Sequence, residues 1–256
     1  MHGGSGLRSF QDIAHQGRQK RMRKLLKRAQ DSLRDTDDDT ALLLLTEAAP
    51  LLKEETKGVD NNLLRDFLSM MSRFNLDEAR SVYVEAVRNN TTDELTSIHW
   101  VRILVSKGQQ DESRDILYSL PPGPFEAERH TLLGMSWMDS GDMVQAAKSL
   151  QESTRWDNQR EAPYHLMEQM DPQGNWGLVH QIEKFDFKDQ ESSRELFLEE
   201  VNGKGPVIRL AKALHLWHSE SPEASMAAWK AIRSRNNDNL LLVKVGARMA
   251  FHIGRF

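Results

Sequence analysis

Histidines are the residues best placed for chemistry in this 256-residue chain. His215 and His218, in the stretch HLWHSE, stand three apart, so on a helix they share a face. Glu220 follows two positions later and is the nearest further donor. A zinc site needs three or four ligands, and no HExxH or comparable spacing supplies them, so the pair reads as surface or half-buried histidine. His99, His130, His165 and His180 are spread along the chain without a common motif. Gly3, Gly4 and Gly6 flank Ser5, but no strand-like run precedes them and no Lys-Ser/Thr follows, so the stretch is not a phosphate-binding loop. No GxSxG elbow is present. The chain has no cysteine, which removes disulfides, thiolate metal sites and a cysteine nucleophile. The expectation is a protein that is not an enzyme and carries no metal or cofactor.

A second kind of chemistry is charge pairing. Between Arg18 and Arg28 stand Arg18, Lys20, Arg21, Arg23, Lys24, Lys27 and Arg28, with no acid among them. Such a run is either a solvated first helix, with Leu25, Leu26 and Ala29 packed inward, or a basic arm for phosphate. No aromatic residue is interleaved for base stacking, which favours the first reading. The acidic stretch at 35–39 is a candidate partner for these cations. The formal net charge of −4 gives no whole-molecule attraction to nucleic acid or anionic membrane.

These side chains must be positioned by helices. Leu, Ala, Met, Glu, Lys and Arg fill segments with apolar residues three and four apart, and breaks at Gly, Asn, Asp and Pro separate them. The longest early apolar run, Ala41 to Leu52, contains Glu47 and Pro50 and is too short to cross a bilayer. No export signal is visible, and a soluble cytoplasmic protein is expected. The breaks have a period. Gly108, Gly141 and Gly174 are 33 residues apart (141 − 108; 174 − 141), each where one helical pattern ends and another begins. A glycine there supplies the left-handed backbone that reverses the chain. Five residues beyond each comes Ser113, Ala146 or Val179, the small side chain two crossing helices need. Ala79 (with Asn75 taking the turn) and Ala224 extend the series backward and forward.

The stretch LLGMSWMDSGDMVQAAKSLQESTRWDN closely resembles a tetratricopeptide repeat: Leu133, Gly134 and Trp137 match the first helix, Gly141-Asp142 the turn, Ala146 the crossing and Asp157 the close. The resemblance covers roughly 60–256 and extends weakly to about 26. Asp66 and Lys212 depart from it, standing where apolar or small residues belong, as does Asp186 in place of a late alanine. The resemblance implies an all-α fold, a right-handed α-solenoid of antiparallel helix pairs. Residues 1–25 are then a flexible start and basic helix. Residues 26–256 are the array, with an extra helix near 187–203. The last helix carries Leu240, Leu241, Leu242, Val243, Val245, Met249, Phe251 and Ile253 before the chain stops on a turn sequence. It is expected to belong to an incomplete array or to self-associate.

By the same resemblance, the first helices line a groove that takes a partner peptide or helix. With the phase set by Gly141, its residues are Met71, Ile98, Arg102, Met135, Met138, Tyr164 and Glu168. The lysine/asparagine carboxylate clamp of some such proteins is not reproduced, since Asn61, Leu64, Leu68, Ile98 and Arg102 stand in its place. The expected function is a protein–protein interaction scaffold. Two other readings are an RNA-processing scaffold, because DEARSVYVEAV (Asp77–Val87) resembles a half-a-tetratricopeptide repeat and the basic arm could reach nucleic acid, and the interaction module of a larger enzyme.

Overall fold

The computed structural model describes residues 10–55, 58, 60–171, 174–196, 205–236 and 239–254, and all regular structure among them is helical. The chain divides into two compact units, Met1–Phe125 and Glu126–Phe256. The first contains α1 (Phe10–Arg34), α2 (Asp38–Lys53), α3 (Asn61–Phe74), α4 (Leu76–Arg88), α5 (Glu94–Ser106) and α6 (Gln110–Ser119). The second contains α7 (Glu126–Asp139), α8 (Met143–Trp156), α9 (Ala162–Met170), α10 (Trp176–Lys184), α11 (Gln190–Glu195), α12 (Pro206–Ser219), α13 (Pro222–Arg233) and α14 (Leu240–Ile253).

Short polar residues start most of these helices. Asp37, Asp60, Asn75, Asp93, Asp142, Ser221 and Asn239 each accept a bond from a backbone N–H of the first turn, which has no partner within the helix. Asn75 closes α3 and opens α4 at once, with φ −145°, so that reversal uses no left-handed residue. Gly108 and Gly141 do adopt positive φ, at 73° and 80°. The third expected glycine does not. Asn175, at φ 53°, takes the left-handed position beside Gly174, as asparagine can because its short side chain tolerates that region.

Helices pair antiparallel along the chain, α1 with α2, α3 with α4, α5 with α6, α7 with α8, α9 with α10 and α12 with α13. In the first unit α3 also lies against α1 and α5, and α2 lies against α4, giving two layers. The side chain four positions after the N-cap of the second helix marks each close crossing. Ala41, Ala79, Ser113 and Ala146 are all fully buried there. In α13 that residue is Ser225, fully buried with its Oγ donating to the Ala213 carbonyl at 2.7 Å, and not Ala224, which is half-buried. Val179 in α10 is only half-buried. At the α7–α8 crossing Gly134 leaves no room: a Cβ there would stand 2.5 Å from Leu150 Cδ2.

Trp100, Phe67, Leu64, Leu68 and Met71 fill the core of the first unit, with Tyr83 stacked on Trp100 at 5.5 Å. In the second unit Phe185 and Phe187, on the loop after α10, pack with Trp217 and Leu214 of α12. Arg248 of α14 donates to the carbonyls of Ile182, Glu183 and Phe185, closing the C-terminal end of α10. Burial lowers the pKa of this guanidinium, with Glu183 and Asp186 opposing the shift.

The expected boundary at 25–26 falls inside a helix. Helix α1 runs unbroken through 25–26, and Met22 is as buried as Leu25 and Leu26, so the basic segment belongs to the first unit. Of the extra helix expected near 187–203, the six residues of α11 lie within the span, and 197–204 fall outside the described residues, as do 1–9 and 255–256.

Candidate partner-binding cleft

On the face of α3 turned away from α4, a cleft of about 550 Å³ opens between α1 and α3. It exists because α1 and α3 are neighbouring first helices whose apolar stripes turn mainly toward the core. Leu26 and Leu63, 3% and 9% exposed, form its floor, and Leu33 and Met70 stand half-buried beside them. From α1 come Arg23, Lys27, Gln30 and Arg34, each three or four residues from the next, and from α3 come Asp66, Ser69 and Arg73. Four cations thus face one carboxylate.

Part of that charge is matched locally. Arg23 meets Asp60 at 3.0 Å and Arg34 meets Asp31 at 3.7 Å, both partly solvated pairs of small energetic weight. Lys27 and Arg73 are exposed and have no ion pair among the described residues. Burial raises the pKa of Asp66 against the opposing pull of Arg65 and His99. His99 on α5 sits 2.7 Å from the Ser69 hydroxyl, and burial, with Arg102 and Arg65 nearby, lowers its pKa, so the ring is neutral at pH 7.

The basic run at 18–28 therefore splits into inward and outward roles. Arg18 pairs with the fully buried Glu55 at 3.1 Å, His15 approaches the same oxygen at 3.0 Å, and Arg21 pairs with Glu47. These partners lie in and after α2, and the pairs replace the expected contact with 35–39. Lys20, Lys24, Lys27 and Arg28 remain on the exposed side of α1.

The residues assigned to the groove from the Gly141 phase are not brought together. Met71 and Ile98 are 1% and 0% exposed and belong to the first unit's core, while Tyr164 is 3% exposed in the core of the second. Met71 and Ile98 therefore offer a partner no surface. Arg102 is exposed on α5, and Met135, Met138 and Glu168 are half-buried in the second unit. In α3 Met70 lines the cleft and its neighbour Met71 the core. One residue rotates a helix face by about 100°. Ser69, Met70 and Arg73 are among the cleft-lining residues that the Gly141 phase does not select. Their signal is the strongly two-sided α3, in which Leu63, Leu64, Phe67, Leu68 and Met71 define the buried stripe and leave Met70 outside it. Asp66 and Lys212, which depart from the repeat pattern, are both exposed, so neither disturbs packing.

Tyr83 and Val82, in the half-repeat-like stretch Asp77–Val87, are buried, and the Tyr83 hydroxyl bonds to Ser97 Oγ at 3.1 Å. His215 and His218 are half-buried, and among the described residues no three His, Cys, Asp or Glu side chains converge as metal ligands. No helix among the described residues is long and apolar enough to cross a membrane.

No known family profile matches the sequence, and no curated protein matches it either. Among solved structures, a tetratricopeptide repeat protein from Parabacteroides merdae ATCC 43184 aligns over 90% of this chain and 99% of its own, with 13% identity and a TM-score of 0.46.

Proposed function

We propose that this chain is a non-catalytic scaffold that seats an acidic, amphipathic segment of a partner protein in the α1–α3 cleft. The observation that carries the reading is the cleft's lining, four cations and one carboxylate above an apolar floor of Leu26, Leu63 and Met70. An apolar anchor on the partner would bury against that floor. Its carboxylates would meet Lys27 and Arg73 in charge-assisted hydrogen bonds.

Selection from a random peptide display library tests this directly. The wild-type chain should enrich peptides that combine carboxylates with Leu, Phe or Trp, and the Lys27→Glu/Arg73→Glu variant should lose them. Both positions are exposed, so the variant should fold. Enrichment of neutral or basic peptides, or the same set from both proteins, would sink the proposal.

The exposed cations Lys20, Lys24, Lys27 and Arg28 support a second reading, binding of an RNA strand along α1. Removing the helix would not test it, because Met22, Leu25 and Leu26 are core residues. The triple variant Lys20→Glu/Lys24→Glu/Arg28→Glu spares both core and cleft. Salt-sensitive RNA binding abolished by it would favour this reading over the first.

A further inference from the structure

The second unit contains a separate pocket, of about 350 Å³, framed by α8, α9, α10 and α14. Met167, Trp176, Val179 and Leu240 make much of its wall apolar. Its polar groups are unevenly matched. Glu183, 8% exposed, is already bonded by Asn158 Nδ2 and Lys244 Nζ, each at 3.3 Å. Tyr164 is occupied by Thr154, and burial, reinforced by Glu183 and Asp157, raises its pKa and keeps it a neutral phenol. Arg155 meets Glu152 at 2.6 Å, so Lys244, shared with Glu183 at a longer 3.3 Å, is the cation the pocket can offer a ligand.

One donor is left over. The indole N–H of Trp176 is buried without an acceptor. It lies over Gly174, also on the pocket wall, where a Cβ would stand 2.2 Å from Nε1. The left-handed Asn175 between them sets this approach. Trp100 Nε1 also lacks an acceptor, but Trp100 is fully enclosed in the first unit's core. A buried donor gains most from an acceptor that arrives with a ligand.

We propose that this pocket binds a small monocarboxylate with a hydrocarbon tail, the tail against Met167, Val179 and Leu240 and the carboxylate accepting from Trp176 Nε1 and Lys244. The size suits one short chain or ring. The site is independent of the α1–α3 cleft, so either proposal can fail alone.

The test is a titration of the full chain, labelled at the indole nitrogens, with octanoate and separately with octanol. The chain has six tryptophans, and Trp176→Phe identifies the relevant N–H signal. Trp217 and Trp229 already donate to the Phe187 and Leu242 carbonyls, so with Trp100 they serve as internal controls. Octanoate should move the Trp176 signal downfield saturably and leave the other three in place. It should bind about tenfold more tightly than octanol. Lys244→Met should remove that preference. Glu183→Gln, which releases Lys244 from its competing carboxylate, should strengthen octanoate binding, whereas mere damage to the unit would weaken it. No saturable shift, an equal midpoint for octanol, or weaker binding in Glu183→Gln overturns the proposal.

Discussion

Replacing Ala146 with arginine tests the helix-pair geometry most sharply. Ala146 is 0% exposed at the point where α8 crosses α7. Opposite it, the Cβ of an alanine at 134 would stand 2.5 Å from Leu150 Cδ2, 2.6 Å from Leu150 Cγ and 3.5 Å from the Ala146 carbonyl oxygen, so the crossing holds no slack. An arginine side chain must either bury its charge there or force the helices apart. Overpacking alone costs about 1–3 kcal/mol, and a buried charge without a partner costs about 3–5 kcal/mol. The long stem can carry the guanidinium toward water, so the expected loss is above about 2 kcal/mol rather than the sum. For a unit of this size that lowers Tm by roughly 6–10 °C, between the slopes of smaller and larger domains. The assay is thermal unfolding followed by circular dichroism, with hydrogen exchange to locate the loss in the second unit. Gln145→Arg, one position away and exposed, should stay within about 0.5 kcal/mol of wild type. An unmoved melting curve for Ala146→Arg, or equal losses at both positions, would refute the crossing geometry.

Other outcomes follow from the same contacts. Ser225→Leu should cost about 1–3 kcal/mol in chemical denaturation and Ala224→Leu clearly less, because Ser225 is the residue at the α12–α13 crossing. Arg248→Ala should destabilise the second unit by about 2 kcal/mol, and Arg248→Lys should recover only part, since an ammonium lacks the planar fork that reaches three carbonyls. His99 has its pKa lowered, chiefly by burial and also by Arg102 and Arg65. Below its ordinary value near 6.5 the unfolded chain binds a proton that the folded chain refuses. Stability of the first unit should therefore fall as pH drops from 6.5 toward the folded pKa, and His99→Gln should flatten that part of a denaturation–pH profile. On α14, Leu240, Val243 and Phe251 are 56%, 42% and 63% exposed on one helix. Light scattering across a concentration series should show self-association that Val243→Lys/Phe251→Lys abolishes.

The helix pairs were legible in the sequence because reversal and close crossing each demand a narrow set of residues. Gly108 and Gly141 mark their turns by left-handed backbone, and Ala79, Ser113 and Ala146 mark their crossings by size. The signal slips where another residue meets the same demand. Asn175 takes the turn beside Gly174, and Ser225 takes the crossing beside Ala224. Pro121, Pro122, Gly123 and Pro124 stand just before the division at 125–126 and are its readable trace. The cleft was harder to read. Met70 and Met71 are the same residue type, and only the position of the buried stripe separates wall from core. The ion pairs of Arg18 and Arg23 were also hidden, because they join residues 37 apart that no local pattern links.

The clasp made by Arg248 bears on how the protein emerges during synthesis. In the first unit, the side-chain bonds between helix pairs join residues about one repeat apart, such as Arg18 to Glu55 and Thr96 to Asn61. Each pair can settle soon after the next leaves the ribosome. The end of α10 waits longer, since the guanidinium that satisfies its carbonyls follows 63–66 residues later. At about 5–20 residues per second, several seconds of elongation separate the two. Until then water takes the guanidinium's place at those carbonyls, while the rings of Phe185 and Phe187 wait just for Trp217 and Leu214 of α12. This end of the chain therefore closes in two steps, rings first and backbone second.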